Sequence, residues 1–480
     1  MTPFRARRLF ALGFVAGIVY FAGTLYWVVP VMDTYGELPL VVAVLVGCLL
    51  ILYMSLFPAV FALLVGLTVR RFGVNGIWFA PAIWVAGEWV RSWFLSGFPW
   101  AFLGSSQATV LPVVQLASIV GVYGLSAFVA LVSTAVAAMA LSRRRQTVVA
   151  AASVAILFAV VVFWGGRRLA DGALVASGVP LRVGLVQGNV EQSQKWDPVY
   201  RDAILNRYID LSRQVIGQGA QLVMWPEAAT PFFFDIEHAY AAPIRRLAVE
   251  AQVPFIVGTD ELLRGKTREE DQYFNSAVLL GSDGRTHGHY RKMRLVPFGE
   301  FVPFKSVLFF VGPLIEAVSS FSAGTEPVVF DAAGRRVSVA ICYESIYPWI
   351  ARAFIDRGSQ LLATITNDAW FGRSSAAYQH FDQGAIRAVE QARYIVRAAN
   401  TGISGAVDPY GRVLLRTPLF ETTAAVVDVQ LLTHRTIYSR VGDVTVWASL
   451  AVTTGLIVMI RIRPRTSGRR PQVSELRPEA

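Results

Sequence analysis

Six long apolar stretches constrain the fold of this sequence more than any other feature. Each is near or above the roughly 20 residues that a helix needs to cross the hydrocarbon core of a bilayer. The chain has 480 residues, of which 54% are hydrophobic and 16% are charged, and its mean hydropathy of +0.48 is too high for one water-soluble globule. The sequence therefore predicts a multi-pass membrane protein, with spans at about residues 9–31, 39–69, 76–97, 111–141, 147–166 and 443–461.

The segment between the last two spans has a different composition. From about residue 180 to 435 the charge density is ordinary, Gly and Pro are frequent, and no apolar run is long enough to cross a membrane. We therefore expect a soluble domain at 180–435, preceded by a helical membrane region at 1–170. The last span at 443–461 is followed by a polar, basic tail at 463–480.

Arginine clusters predict the orientation of these segments. They lie at residues 5–8, 70–71, 143–145 and 461–470, and basic loops stay on the cytoplasmic side of a membrane. With six crossings all four clusters fall on the same side. The soluble domain is then extracytoplasmic and the tail cytoplasmic. Because the basic residues concentrate in these loops, the net charge of +11 does not require a nucleic-acid partner.

Short β-rich runs alternate with helical patterns inside the soluble segment. This alternation predicts an α/β domain. Three of the runs end in residues capable of chemistry, namely Glu227, Cys342 and the pair Asn367 and Asp368. Open α/β sheets place their sites at strand ends. The predicted strands are "LRVGLVQGNV", "AQLVMWPEA", "VPFIVGTDE", "YFNSAVLLGS", "RVSVAICYE", "QLLATITNDAW" and "TGISGAVDPYGRVL", and the predicted helices lie near 198–217, 237–251, 346–357 and 377–399.

Cys342 is one of only two cysteines, and the other, Cys48, lies in the second apolar stretch, so the soluble segment has no disulfide partner to offer. A cysteine in an apolar run is commonly a small buried hydrophobe, and that interpretation stays open from the segment alone. An unpaired cysteine in an oxidising compartment also suggests a reactive thiol. Glu344 would oppose ionisation of a nearby thiol, so a nucleophile here requires a base or a cation.

Two further segments supply such groups. Lys292 precedes the loop "LVPFGEFVPF", which carries Glu300, and Glu227 follows Trp225 and Pro226. Each residue also has a non-catalytic interpretation. A lysine at such a place is commonly solvated, and a carboxylate beyond a strand commonly faces a helix N-terminus. Neither residue identifies a site by itself.

In the order Glu227, Lys292 and Cys342, these segments resemble the nitrilase superfamily. The resemblance implies an α-β-β-α sandwich inserted among transmembrane helices, with Glu227 as general base, Lys292 as oxyanion-stabilising cation and Cys342 as nucleophile. More specifically, the chain resembles the bacterial apolipoprotein N-acyltransferases. The segments that carry this resemblance are "VQGNVEQSQKWDP", "WPEAATPF", "LVPFGEFVPF", "ICYES", "TNDAWFG", "RAANTGISG", "GEWVRSWFLSGFPW" and "LASIVGVYGLS".

The same resemblance assigns supporting roles. It implies that Glu300, Tyr343 and Glu344 are essential to the site and that Trp196 belongs to a mobile element near the substrate entrance. Members of this family usually have eight membrane helices, and the six stretches found here correspond to the third helix onward. A bacterial inner-membrane location, a periplasmic catalytic domain and a monomeric state are also implied.

The implied reaction transfers an acyl chain in two stages. A phospholipid acylates Cys342, with Lys292 and the backbone N–H of Tyr343 facing the oxyanion, and the thioester then passes the acyl chain to the N-terminal α-amine of a diacylglyceryl-cysteine apolipoprotein. A thioester keeps the acyl group activated, so we expect no cofactor. The histidines at 238, 287, 289, 380 and 434 show no zinc-site spacing, so we expect no metal.

Two alternatives from other functional classes remain. A membrane-anchored amidase or nitrilase that hydrolyses a C–N bond could use the same three residues. A non-catalytic membrane scaffold or transporter would merely bury Cys342. Aromatic loops at 231–234 and 308–311 favour acyl chains at a bilayer surface, and we expect these loops, with Trp196, to surround the entrance.

Overall fold

The computed structural model describes residues 6–34, 36, 38–267, 270–297, 299–301 and 321–462. The aromatic loop predicted at 308–311 and the tail predicted at 463–480 lie outside these residues. Within the described part, a helical region precedes a mixed α/β domain, and one further helix follows it.

Among the described residues, five helical stretches are long and apolar enough to cross a membrane: Ala6–Leu25, Leu40–Arg91, Ala117–Leu141, Arg145–Ala176 and Val444–Arg461. Their outer surfaces suit lipid rather than water, because Val19, Val41 and Phe163 are 70%, 72% and 72% exposed. Most of the second and third predicted spans lies within Leu40–Arg91, which changes to a 3-10 helix at Gly73–Phe79. The number of membrane crossings stays a prediction.

The helices around this region are numbered in chain order. Several are short connectors between the long apolar ones. They are α1 Ala6–Leu25, α2 Val28–Thr34, α3 Leu40–Phe72, α4 Ala80–Arg91, α5 Leu111–Val114, α6 Ala117–Leu141, α7 Arg145–Asp171 and α8 Ala173–Ala176.

The α/β domain contains two six-stranded sheets, ordered β12-β1-β2-β3-β4-β5 and β11-β10-β9-β8-β7-β6. Each has three parallel strands at its centre, β1-β2-β3 and β7-β8-β9, and antiparallel strands at its edges. The strands are β1 Val179–Gln187, β2 Leu222–Met224, β3 Phe255–Leu263, β4 Gln272–Leu280, β5 Thr286–Arg291, β6 Val329–Asp331, β7 Arg336–Ile341, β8 Leu361–Thr366, β9 Ile395–Ala399, β10 Gly405–Val407, β11 Val413–Arg416 and β12 Thr423–Leu431.

Alternating side chains give the first sheet two apolar faces. On β4, Ala277 and Leu279 pack into the core shared with the second sheet, whereas Val278 and Leu280 pack with the helices outside the first. Those outer helices are α9 Arg201–Gly217 and α10 His238–Ala251, and the second sheet is covered by α11 Pro348–Asp356 and α12 Ala376–Gln391. The predicted α-β-β-α sandwich is therefore confirmed. Helices α13 Ile437–Val441 and α14 Val444–Arg461 end the described chain.

The helix predicted at 377–399 is wrong at its C-terminal end. Helix α12 ends at Gln391, because Ala392 adopts a left-handed conformation with φ +50°. The β-branched residues Ile395 and Val396 then enter β9, which pairs in parallel with β8. Strands β5, β6 and β12 were not anticipated.

One face of α12 docks the α/β domain on the membrane helices. Gln379 accepts a hydrogen bond from Trp100 Nε1 at 2.6 Å, and Gln383 accepts one from the backbone N–H of Ala101 at 2.8 Å. Two turns further along, Glu390 Oε1 accepts the Val122 N–H at 2.7 Å. That N–H is available because α6 is non-helical at its second turn, where Gly121 has φ +67°.

We expect Glu390→Ala to destabilise this junction. Glu390 and Arg387 form a buried ion pair, with 0% and 4% of their side chains exposed and 3.0 Å between Oε2 and Nε. Removing the carboxylate leaves the guanidinium without its partner, which costs about 3 kcal/mol of unfolding free energy. Denaturant unfolding in detergent measures the loss.

Asp210→Ala is the matched control for this substitution. Asp210 forms an (i, i+3) pair with Arg213 in which both side chains are exposed, so we expect an effect of less than about 1 kcal/mol. Equal losses for the two variants would contradict a docking role for Glu390.

Candidate active site

The loop after β2 places Glu227 over the first sheet. Trp225 anchors this loop, since its Nε1 donates to Ser212 Oγ at 2.8 Å and its ring stacks on Tyr208 at 4.8 Å. The loop then crosses β3 at Gly258, where a Cβ atom would lie 2.0 Å from the Pro226 carbonyl oxygen. Only glycine allows this approach, and the result is a buried Glu227 side chain.

Lys292 follows β5 and lies between two carboxylates. Its Nζ is 3.1 Å from Glu227 Oε1 and 2.8 Å from Glu300 Oε1, and only 1% of its side chain is exposed. Asn275 donates to the same two oxygen atoms at 2.7 and 2.8 Å. One ammonium and one amide therefore hold Glu227 and Glu300 together.

These contacts determine the charge states of Glu227 and Lys292. Burial opposes ionisation of Glu227, but Lys292 and the hydrogen bonds from Asn275 and Asn367 outweigh it and hold the Glu227 pKa below its ordinary value. Burial likewise disfavours the Lys292 ammonium, but Glu227 and Glu300 raise its pKa well above the ordinary value. The pair is ionised at neutral pH.

Cys342 is the first residue after β7 and begins a 3-10 turn, Cys342–Ile346. Its backbone is left-handed, with φ +51°, a strained conformation that is enriched at functional sites. Burial and the negative charge of Glu227 raise the pKa of the thiol, against the opposing charge of Lys292. The resting thiol is therefore protonated, and it requires a base at the moment of attack.

Glu344 fastens the Cys342 turn to the segment after Lys292. Its carboxylate accepts backbone N–H bonds from Ile341 at 2.8 Å, Met293 at 2.7 Å and Arg294 at 3.1 Å, and a Tyr290 hydroxyl bond at 2.9 Å. Burial raises the pKa of Glu344 to about 7 in spite of these bonds. Its position indicates a structural role in the turn.

Comparisons with known proteins identify two domain families in the chain. Residues 182–438 match the carbon-nitrogen hydrolase family, and residues 2–135 match the apolipoprotein N-acyltransferase N-terminal domain. A relative named apolipoprotein N-acyltransferase from Geobacter metallireducens is 40% identical over 451 residues, which cover 93% of this chain and 85% of the relative. One of the same name from Shewanella oneidensis is 34% identical, covering 89% and 82%.

The chain belongs to the apolipoprotein N-acyltransferase family. Its long apolar helices make it a membrane protein, as the family match implies. Among solved structures, an amidase of the nitrilase superfamily from Nesterenkonia AN1 matches with a TM-score of 0.41 and 22% identity, over 54% of this chain and 93% of that one.

Tyr343 and Trp196 have different surroundings. Tyr343 is buried, its hydroxyl donates to the Gly97 carbonyl at 3.4 Å, and its ring stacks on Phe98 at 6.5 Å. Tyr343 therefore faces the loop between α4 and α5. Trp196 is 43% exposed and lies 6.3 Å from the Phe233 ring.

The prediction that the aromatic loop 231–234 surrounds the entrance is wrong for two of the three rings in that loop. Phe232 and Phe234 are 0% and 1% exposed and pack in the core between the first sheet and its helices. Phe233 is half-buried, and it is the member of this loop that contacts Trp196. The run "PFFF" showed aromatic content but not which rings turn inward.

Three polar residues join the site without having been predicted as site residues. Asn275 bridges Glu227 and Glu300, and the Asn367 N–H donates to Glu227 Oε2 at 2.7 Å. Lys195 is 4% exposed, and burial lowers its pKa while the charges of Asp260 and Glu227 oppose that shift. The position of Asn367 at a strand end was a usable signal, whereas Asn275 lies within a strand and gave none.

Cys342, Asp368 and His380 have residue types that bind metals, and their ligand atoms lie within 4.8 Å of one another. Asp368 Oδ2 is held by Arg397 at 2.7 Å and Oδ1 by Thr366 at 2.8 Å. His380 Nε2 is 3.0 Å from the Cys342 carbonyl oxygen. Protein partners thus occupy the atoms a metal would need, and the adjacent Arg397 cation disfavours another positive charge.

We expect Glu344→Gln to loosen the turn that carries Cys342. Both carboxylate oxygens accept hydrogen bonds, and an amide nitrogen in either place cannot accept one. The substitution leaves a buried donor unsatisfied, which costs about 1–3 kcal/mol. Denaturant unfolding measures this loss, with the exposed Glu421→Gln as control. An unfolding free energy equal to that of the control would contradict the structural role of Glu344.

Proposed function

We propose that this protein transfers an acyl chain from a phospholipid to the N-terminal α-amine of the diacylglyceryl-cysteine of apolipoproteins, through a thioester at Cys342. Family membership supports the reaction. The observation that carries the assignment is the buried ion pair of Glu227 and Lys292 beside an unpaired thiol. Tyr343, next to that thiol, contacts the loop between α4 and α5, which supports the approach of a lipid ester from the side of the membrane helices.

The first half-reaction uses the groups in turn. Ionised Glu227 takes the Cys342 proton as the sulfur attacks the ester carbonyl carbon. Lys292 and the Tyr343 N–H stabilise the oxyanion that forms. When the carbon–oxygen bond breaks, Glu227 returns the proton to the departing alkoxide, which leaves a lysophospholipid and an acyl thioester.

The second half-reaction reverses these roles. The α-amine of the apolipoprotein attacks the thioester carbonyl, and Glu227 takes the proton that the amine loses. The carbon–sulfur bond then breaks, and the proton passes to the Cys342 sulfur. The products are an amide and the free thiol, so the site is ready for another phospholipid.

We also propose a bacterial inner-membrane location with the α/β domain on the periplasmic side. The four arginine clusters at 5–8, 70–71, 143–145 and 461–470 support this orientation. It places the site in the compartment where exported lipoproteins arrive. A monomer suffices for this chemistry, since one chain supplies Glu227, Lys292 and Cys342.

Intact mass spectrometry after incubation with phosphatidylethanolamine vesicles tests the reaction. We expect wild-type protein to gain one acyl mass and Cys342→Ala to gain none. Glu227→Gln should also gain none, because no base remains for the protonated thiol. Cys48→Ser is the matched control, since Cys48 is the other cysteine and lies in α3, and it should acylate normally.

The outcomes separate the candidate functions. An adduct on Cys342→Ala, or wild-type turnover by Cys342→Ser, would refute the thioester. A hydrolysed amide without a lasting acyl adduct would instead favour the membrane-anchored amidase. No reaction with any ester or amide would favour a non-catalytic membrane protein.

Trp196→Ala tests the expected entrance. Trp196 is exposed, and its ring contacts Phe233 of the aromatic loop 231–234. We therefore expect the Trp196→Ala protein to fold and to be slowed in at least one of two stages. The stages are thioester formation from phospholipid and acyl release to a lipopeptide. Tyr200→Ala removes another exposed aromatic ring from the same segment and is the control. Normal rates in both stages would remove Trp196 from the functional residues.

A further inference from the structure

His380 is a fully buried histidine that contacts the Cys342 turn, and it has no role in the two half-reactions proposed above. It lies on α12 with 0% exposure. Its Nε2 atom is 3.0 Å from the Cys342 carbonyl oxygen and 3.0 Å from Ser345 Oγ. Its Nδ1 atom is 2.9 Å from Arg397 Nη2 and 3.0 Å from Asp368 Oδ1. The ring is therefore held from both sides.

Each ring nitrogen faces one group that can only accept a hydrogen bond, the Cys342 carbonyl at Nε2 and the Asp368 carboxylate at Nδ1. We assign the proton of the ring to Nε2, because Asp368 has other donors and Arg397 can donate to Nδ1. Burial and the Arg397 charge lower the pKa of His380, against the opposing charge of Asp368, so the ring is neutral. Neutral Nδ1 then accepts from Arg397, while Asp368 receives its own hydrogen bonds from Arg397 and Thr366.

The Cys342 carbonyl, which accepts the hydrogen bond from His380, belongs to the same peptide unit as the Tyr343 N–H. The Cys342 carbonyl and the Tyr343 N–H share one planar trans peptide and point in opposite directions. Fixing the carbonyl therefore fixes the direction of the N–H. A hydrogen bond to the carbonyl also polarises the peptide and strengthens its N–H as a donor. This control matters here because Cys342 has the strained φ of +51°.

We propose that His380 is a positioning residue that holds the Cys342–Tyr343 peptide so that the Tyr343 N–H faces the oxyanion formed at Cys342. The inference rests on the proposed function in one respect, namely that Cys342 attacks an acyl carbonyl. Asp368 and Arg397 serve the same purpose indirectly, since they orient the imidazole ring.

His380 could instead act as the base for Cys342, because one of its ring nitrogens lies within 4.8 Å of Sγ. The hydrogen-bond pattern disfavours that role. The Nε2 proton is directed to the carbonyl oxygen, and Nδ1 is occupied by Arg397. Glu227 is ionised, and its charge is the largest of those that act on the thiol.

Two substitutions of equal polarity separate these roles. In His380→Gln the terminal amide nitrogen can occupy the Nε2 place and donate to Cys342. In His380→Asn the shorter amide reaches only the Nδ1 place and leaves the carbonyl without its donor. Neither side chain can act as a base at neutral pH, so the two variants differ in the hydrogen bond to Cys342 and not in basicity.

The experiment compares two reactions of Cys342 in the full-length, detergent-solubilised protein. Acylation by a p-nitrophenyl ester forms an oxyanion, whereas alkylation by iodoacetamide displaces iodide and forms none. We expect His380→Asn to slow acylation by about 100-fold, the loss typical for one oxyanion donor, and to leave alkylation at the wild-type rate. We expect His380→Gln to restore most of the acylation rate.

Ser338→Ala is the matched structural control. Ser338 lies in β7, the strand that precedes Cys342, and its hydroxyl makes a buried hydrogen bond to Ser359 at 2.9 Å. Its loss weakens the same strand without touching the Cys342 peptide, so the ratio of acylation to alkylation should not change.

Three results would overturn the inference. Equal loss of acylation in the Gln and Asn variants would make His380 a proton carrier, and parallel loss of alkylation would mean that it acts on the thiol or on the fold. Unchanged acylation in the Asn variant would leave it without a role. The proposed function fails separately, if wild-type Cys342 reacts with the activated ester but never with phospholipid.

Discussion

The buried ammonium of Lys292 is the charge on which the site depends. An ion removed from water costs several kcal/mol unless partners compensate for it, and Lys292 has two, Glu227 and Glu300. The charge of Lys195 also acts on Glu227, and Lys195 in turn interacts with Asp260. A thiolate at Cys342 would add a further buried negative charge. The sulfur therefore stays protonated until an acyl carbonyl can carry the charge beside Lys292.

This charge cluster spans both sheets of the sandwich. Glu227 follows a strand of the first sheet, Cys342 follows a strand of the second, and the Asn367 N–H from the second sheet donates to Glu227. The core between the sheets, which includes Leu185 and Ile341, sets their spacing. Packing of apolar side chains between the sheets thus fixes the distance between base and nucleophile, and small errors in such distances lower rates strongly.

The sequence predicted the parts of the site that lie at strand ends. Strand alternation and the positions of Glu227 and Cys342 located two of its segments, and the family resemblance added Lys292 and Glu300. It did not predict Asn275 or His380. Each lies within a regular strand or helix, where a polar residue has many possible partners, and the actual partners of His380 come from three other segments of the chain. Only the folded chain brings such distant residues together.

Helix α12 shows how the membrane region and the nucleophile are connected. Gln379 and His380 are neighbours on this helix, and Gln379 accepts hydrogen bonds from Trp27 and Trp100 of the membrane region. The Trp100 ring also packs against His380 at 5.7 Å. A displacement of the loop between α4 and α5, which carries Trp100, would move α12 and, through His380, the carbonyl of Cys342. Because the same loop contacts Tyr343 through Gly97 and Phe98, both side chains that flank the Cys342 peptide rest on the membrane region. The geometry of the nucleophile is therefore set by the helices that face the lipid as well as by the sandwich.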